Sequence, residues 1–232
     1  MYPKFFKFVV VIFVILELMK DTDKLAKGQC DADAKDWFDA DSIRVLEWNE
    51  HIRKRPKMYI EQLGDGSDPK DGIYTLLKGV LALVLDECPA EVGKEISIEV
   101  REDCASIRDF GRWIPFDQIV PTTSGVPVGM GAKEVVIQDV KVANALSADF
   151  YVASYRNGEC SWTQYSKGAL LDSGTEQTTE TDGTCIKFVP DSDIFPGYAF
   201  REEFVKEVLQ NIAHQNKGLS ISLNGAVVPD SF

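Results

Sequence analysis

Histidine is nearly missing from this 232-residue chain, which holds only His51 and His214, and none of its five cysteines forms a C-x-x-C pair. A structural zinc site needs four such ligands at close spacing, so the pattern excludes one. Cys30, Cys88, Cys104, Cys160 and Cys185 are also odd in number, and they read as reduced thiols of a cytoplasmic protein. Basic residues are in deficit, 25 against 37 acidic ones, for a net charge of -12. Such a surface repels a phosphate backbone, which argues against direct DNA binding by this chain alone. The apolar run at residues 8–16, nine residues between Lys7 and Glu17, is too short to span a bilayer. Internal repeats and low-complexity tracts are lacking as well.

What is present suffices for one large domain, because a 44% hydrophobic share can supply a sizeable core. Residues 1–18 carry the charge and apolar pattern of a signal peptide, yet no small-x-small cleavage site precedes the charged stretch MKDTDK. Three readings stay open for them: a start upstream of the real one at Met19, a membrane-associating leader, or a true signal. Residues 19–37 are charged, small and aperiodic, and read as a flexible acidic arm. The folded domain is expected over 38–232.

Ser42 can cap a helix over 43–53 that ends before Pro56. A loop rich in glycine and aspartate, LGDGSDPKDG, then feeds a helix over 71–87, DGIYTLLKGVLALVLDE. Ile73, Leu76, Leu77, Val80, Leu81, Leu83, Val84 and Leu85 place apolar side chains on nearly all of its sides, so it must be a buried packing element. Alternation predicts paired strands over 96–102 and 106–108, closed by the turn DFGRWIP. TTSGVPVGMG makes 119–131 irregular, and a helical pattern follows over 133–147. Strands over 150–155 and 160–165 flank an Asn157-Gly158 turn as a hairpin. A strand over 184–189, a helix over 200–215 and a strand over 219–223 complete the order. Helices and antiparallel strands without βαβ alternation indicate an α+β fold.

Together, SIRVLEWNEHIRKRPKMYI, the buried helix and DFGRWIP at its distance from that helix resemble the ATP-binding domain of type IIA topoisomerase B subunits, DNA gyrase and especially topoisomerase IV. The resemblance covers residues 38–225 and stops where that family continues into its transducer domain. It implies the Bergerat (GHKL) fold, a two-layer sandwich of helices on a mixed, mostly antiparallel sheet. It also implies an adenine nucleotide, ATP or ADP, as ligand, and topoisomerase subunits or a second copy of the chain as partners. Its cytosolic character favours Met19 as the start.

By the resemblance, Asp109 accepts from the adenine amine, Gly111 lets backbone approach the base, and Thr184 in the TDGT turn completes base recognition. A buried hydrogen bond to a charged group contributes roughly 1.5–3 kcal/mol. The alternative is a vestigial turn. Glu87 and Arg112 match a carboxylate and guanidinium paired at the pocket mouth, against the alternative of an ordinary surface ion pair. Ile114 and Pro115 match apolar wall, or are plain core.

The catalytic positions depart from the family. Its general base aligns with Gly79, its Mg²⁺-binding asparagine with Leu83, and the preceding aspartate with Ala82. A general base contributes ~10²–10⁴-fold, and the metal organises phosphoryl transfer. Trp113 replaces a glycine of the D-x-G-x-G turn, and EVVIQDVKVANALS replaces the glycine-rich lid whose amides cradle phosphates. Gly125, Gly129 and Gly131, interrupted by Pro127, read as a generic loop rather than a phosphate cradle, and Phe38 stands in place of an arm tyrosine. No catalytic residue and no metal ligand is therefore assigned. The expected activity is weak binding of ATP or ADP without Mg²⁺ and with little or no hydrolysis; the alternative is a nucleotide-free interaction module.

Overall fold

The computed structural model describes residues 46–60, 62–87, 94–111 and 132–229, apart from the side chains of residues 86, 87, 94 and 132–138. The expected leader and arm, and residues 43–45 of the helix expected at 43–53, lie outside this set; residues 46 and 47 are described and are not helical, so the described helix begins only at Trp48, with extended Glu47 as its N-cap. The described helices are α1 (Trp48–Lys54), α2 (Gly72–Glu87), α3 (Ala132–Ala145) and α4 (Glu202–Gln215), with a 3₁₀ turn at Pro56–Met58. Eight strands form one sheet: β1 (Lys94–Val100), β2 (Ala105–Asp109), β3 (Ser147–Arg156), β4 (Glu159–Ser166), β5 (Ala169–Gln177), β6 (Gly183–Pro190), β7 (Leu219–Leu223) and β8 (Ala226–Val227). Their order is β5-β4-β3-β6-β2-β1-β7-β8. Only the β1/β7 pairing is parallel, so the sheet is mixed and mostly antiparallel, as an α+β fold requires.

Helix α2 is buried as its pattern demands. Ile73, Tyr74, Leu76, Leu77, Val80, Leu81, Leu83 and Val84 all join the core, while Thr75 and Lys78 form part of an outward stripe. Each such side chain taken fully out of water contributes about 1.5–3 kcal/mol, which outweighs the helix-propensity cost of Gly79 and of the β-branched Ile73, Thr75, Val80 and Val84. The preceding loop is organised by buried Asp71, whose carboxylate accepts the N–H groups of Gly66 (2.9 Å) and Asp68 (3.1 Å) and the Gln62 amide (2.8 Å). Gly64 lies against that carboxylate with φ +67°, where a β-carbon would collide with Asp71 Oδ1.

Antiparallel register aligns the inward residues in rows. Leu223, Ile98, Ile107, Ile186 and Val152 form an apolar row that packs with the helices. The next row toward one end of the sheet turns polar: Ile96 opposes Asp109, and Thr184 opposes Ser154. A sheet whose buried face changes from apolar to polar at one end has a place for a polar ligand there.

Several bounds differ from the sequence expectation, as in the strand expected over 96–102, which runs Lys94–Val100; two helix ends and one unexpected strand have a visible cause. Helix α3 stops at Ala145, not at residue 147, because Ser147 opens β3; Arg53 Nη1 donates to the Ala145 carbonyl (3.0 Å), and Asp191 N–H to that of Leu146 (2.9 Å). Helix α4 starts at Glu202, since the Phe200 N–H donates to the Glu102 carbonyl (2.9 Å) and holds the chain extended. Strand β5, unassigned from sequence, pairs along β4 at the sheet edge. Its Gly174 is covered by Trp162, whose ring would lie 2.9 Å from an added β-carbon and stacks in turn on Tyr151.

Candidate functional site

Asp109 is the last inward residue of β2, and its carboxyl is only 2% exposed at the polar end of the buried face. Oδ1 accepts the N–H of Gly111 (2.9 Å), and Oδ2 accepts the N–H of Thr184 (3.2 Å). Burial pushes this carboxyl above its ordinary value; the Gly111 N–H, the Arg108 charge and the Thr184 N–H oppose the rise. A carboxylate oxygen has about two acceptor directions, so each retains one after taking its amide donor.

Thr184 follows the turn and is the second residue of β6, where the strand expected over 184–189 begins, and it is paired across the sheet with Ser154 of β3. Its hydroxyl is fully buried and meets no partner at hydrogen-bond geometry, though it stands near enough to the Asp109 carboxyl to oppose that carboxyl's rise. Leaving such a group unpaired costs about 1–3 kcal/mol, which a ligand or water that reached it would recover.

Of the residues singled out from sequence, Asp109, Gly111 and Thr184 come together. Glu87 closes α2, but its side chain lies outside the described set, as do Arg112, Trp113, Ile114, Pro115, Phe38 and residues 119–131. Gly79 is buried, and Leu83 is 3% exposed within the apolar core. A β-carbon on Gly79 would lie 3.0 Å from the Asp139 β-carbon, so α3 crosses α2 at this glycine. Packing thus occupies the two positions that the resemblance aligned with base and metal ligand. Among the described residues no group of three or more His, Cys, Asp or Glu side chains is placed to hold a metal.

Sequence reasoning missed Arg108 and Gly183, which grip the Asp109 backbone from the outer side of the sheet. The available signal was strand alternation, which turns residue 108 away from the face that residue 109 enters.

This arrangement has counterparts. No family model matches the chain. It is 38% identical over 198 residues to the DNA topoisomerase 4 B subunit of Borreliella burgdorferi, an alignment covering 82% of this chain and 33% of that relative. It is 32% identical over 205 residues to the DNA gyrase B subunit of Streptococcus pyogenes, covering 80% of this chain and 31% of the relative. The chain is a homologue of the type II topoisomerase B subunits. Its fold matches the solved 43K ATPase domain of Thermus thermophilus gyrase B in complex with an aminocoumarin, with a TM-score of 0.63 and 27% identity over 78% of this chain and 49% of that one. The B-subunit homologue spans about a third of the length of the curated relatives it matches. Among its described residues no helix is long and apolar enough to cross a membrane.

Proposed function

We propose that this B-subunit homologue binds an adenine nucleotide chiefly through its base, with little or no hydrolysis. The buried Asp109 carboxylate carries the reading. One acceptor direction on each oxygen remains for an exocyclic amine, and the unpartnered Thr184 hydroxyl beside it fits a ring nitrogen or a bridging water. The reading gives Gly111 the close approach of backbone to the base, and it keeps for Ile114, Pro115, Glu87 and Arg112 the wall and mouth roles that the family resemblance implies. Gly79 and Leu83 supply neither a proton acceptor nor a metal ligand, so Mg²⁺ adds nothing and phosphoryl transfer lacks its base. The protein acts in the cytoplasm with topoisomerase subunits or a second copy of itself, and a net charge of -12 keeps it from binding DNA alone.

One observation favours a second reading, a nucleotide-free interaction module. The close crossing of α2 and α3 at Gly79, with Leu83 buried, puts packing at the positions that the resemblance aligned with the base and the metal ligand.

Calorimetric titration with ADP and a non-hydrolysable ATP analogue, each with and without Mg²⁺, tests both. Weak saturable binding indifferent to Mg²⁺ is expected, with no phosphate released from ATP. Binding that requires Mg²⁺, or turnover sensitive to Asp109, overturns the non-hydrolysing reading; absence of any nucleotide binding leaves the interaction module. An aminocoumarin is a second probe, since the solved homologous domain holds one.

A further inference from the structure

Arg108 precedes Asp109 on β2 and projects from the opposite face of the sheet. Its guanidinium lies between two rings, 4.9 Å from the centroid of Phe110 and 4.3 Å from that of Tyr155. From that slot Nη1 donates to the Asp109 carbonyl (2.5 Å) and Nη2 to the Thr181 carbonyl (2.5 Å). Gly183 closes the same junction: with φ +139°, an added β-carbon would collide with the Asp109 carbonyl oxygen and lie 2.6 Å from Arg108 Nη1. Residue 109 is therefore held on both sides by one segment, its carbonyl through Arg108 to Thr181 and its carboxylate by the Thr184 N–H.

We infer that Arg108 is a positioning residue, which sets the Asp109 carboxylate and the Thr184 hydroxyl in fixed relation so that an amine-bearing ring can meet both. This rests on the nucleotide reading above. Fixing the carbonyl of residue 109 fixes the rotation that leads into residues 110 and 111, and with it the N–H that Gly111 gives to Oδ1. Without the guanidinium that rotation is free, and the carboxylate loses its aim. A planar fork held between rings can reach two carbonyls at once, which a lysine ammonium cannot do with the same geometry. The charge matters as well as the shape. Arg108 helps hold the buried Asp109 carboxyl ionised, whereas the Cys185 thiol, paired across from Arg108 on β6, lies on the opposite face of the sheet from that carboxyl.

The test is ADP titration of the full chain, wild type against Arg108→Ala and Arg108→Lys, across a pH series and well below the melting temperature. Lys187→Ala is the control, since it removes one exposed cationic charge from the neighbouring strand position without touching the fork. Arg108→Ala should weaken binding tenfold or more and raise the pH below which binding is lost. Arg108→Lys should return that pH limb toward wild type while leaving the affinity weakened, and Lys187→Ala should leave both unchanged. A merely structural role would lower the melting temperature without moving the pH limb. Wild-type affinity and an unmoved pH limb in Arg108→Ala overturn the role alone. Absence of ADP binding by wild type overturns the nucleotide reading and this role with it. If Arg108→Ala does not fold, Arg108→Gln, neutral and of similar reach, carries the same comparison.

Discussion

A β-carbon added to Gly79 would sit 3.0 Å from the β-carbon of Asp139 and 3.4 Å from its carbonyl oxygen. The two helices therefore meet at a glycine, and its missing side chain is what lets α3 lie on α2. From sequence alone a mid-helix glycine is a weakness of about 0.5–1 kcal/mol relative to alanine. In the fold it is a packing requirement.

Gly79→Ala should accordingly bring no net stabilisation, because the contact cancels the gain in helix propensity. Gly79→Glu should destabilise by about 1–3 kcal/mol, as overpacking does. It should not produce ATP hydrolysis, since Leu83 still offers no metal ligand. Denaturant unfolding and phosphate release check the two effects separately; a Gly79→Glu protein as stable as wild type would mean that α3 can move aside.

Asp109→Asn should abolish ligand stabilisation. Nucleotide at ~100 times its dissociation constant stabilises a binding-competent fold by about 2.7 kcal/mol, and the variant should show none of it in a melting assay. The unliganded protein carries a second signature. Burial raises the folded carboxyl above its unfolded value, so the folded state binds the proton more tightly. The stability contribution of Asp109 is thus fully present below the unfolded value near 4 and declines as pH rises through the folded one. That component of the pH slope should vanish in Asp109→Asn.

Asp191 should behave in the opposite sense. Burial pushes its carboxyl up, but the Asp193 N–H, Arg53 and Lys167 outweigh burial and hold it below the usual range. Its contribution is present above about pH 4 and lost as pH falls through the depressed value. Asp191→Asn should cost about 1.5–3 kcal/mol at neutral pH and flatten the acid limb of stability. Equal stability of variant and wild type at pH 7 would show that the Arg53 contact contributes nothing net.

Asn144 is fully buried in α3, and neither its amide nitrogen nor its oxygen has a partner. Asn144→Ala removes two unsatisfied groups and favours the helix, so it should raise unfolding stability by about 1 kcal/mol. A loss of that size instead would reveal a buried water bonded to the amide.

Local pattern made the core elements legible. The apolar positions of 73–85 require a buried helix, Asn157-Gly158 requires a hairpin turn, and both follow from side-chain periodicity and backbone freedom within one segment. Alternation similarly turns Asp109 inward and Arg108 outward. The pairing of segments far apart in the chain decided the rest. ALLDSGTEQ has no strand pattern of its own and becomes β5 because β4 presents an open edge and Trp162 covers its glycine. Thr184 acquires its place from β3 and the Asp109 carboxylate, 75 residues away in sequence, as Arg108 does from the Thr181 carbonyl, 73 residues away. Gly79 changes meaning, from a flaw in one helix to the crossing point of two, because only the folded chain brings Asp139 against it. Propensity acts over one or two turns of chain, whereas close packing and buried hydrogen bonds act on whatever the fold brings within a few ångströms.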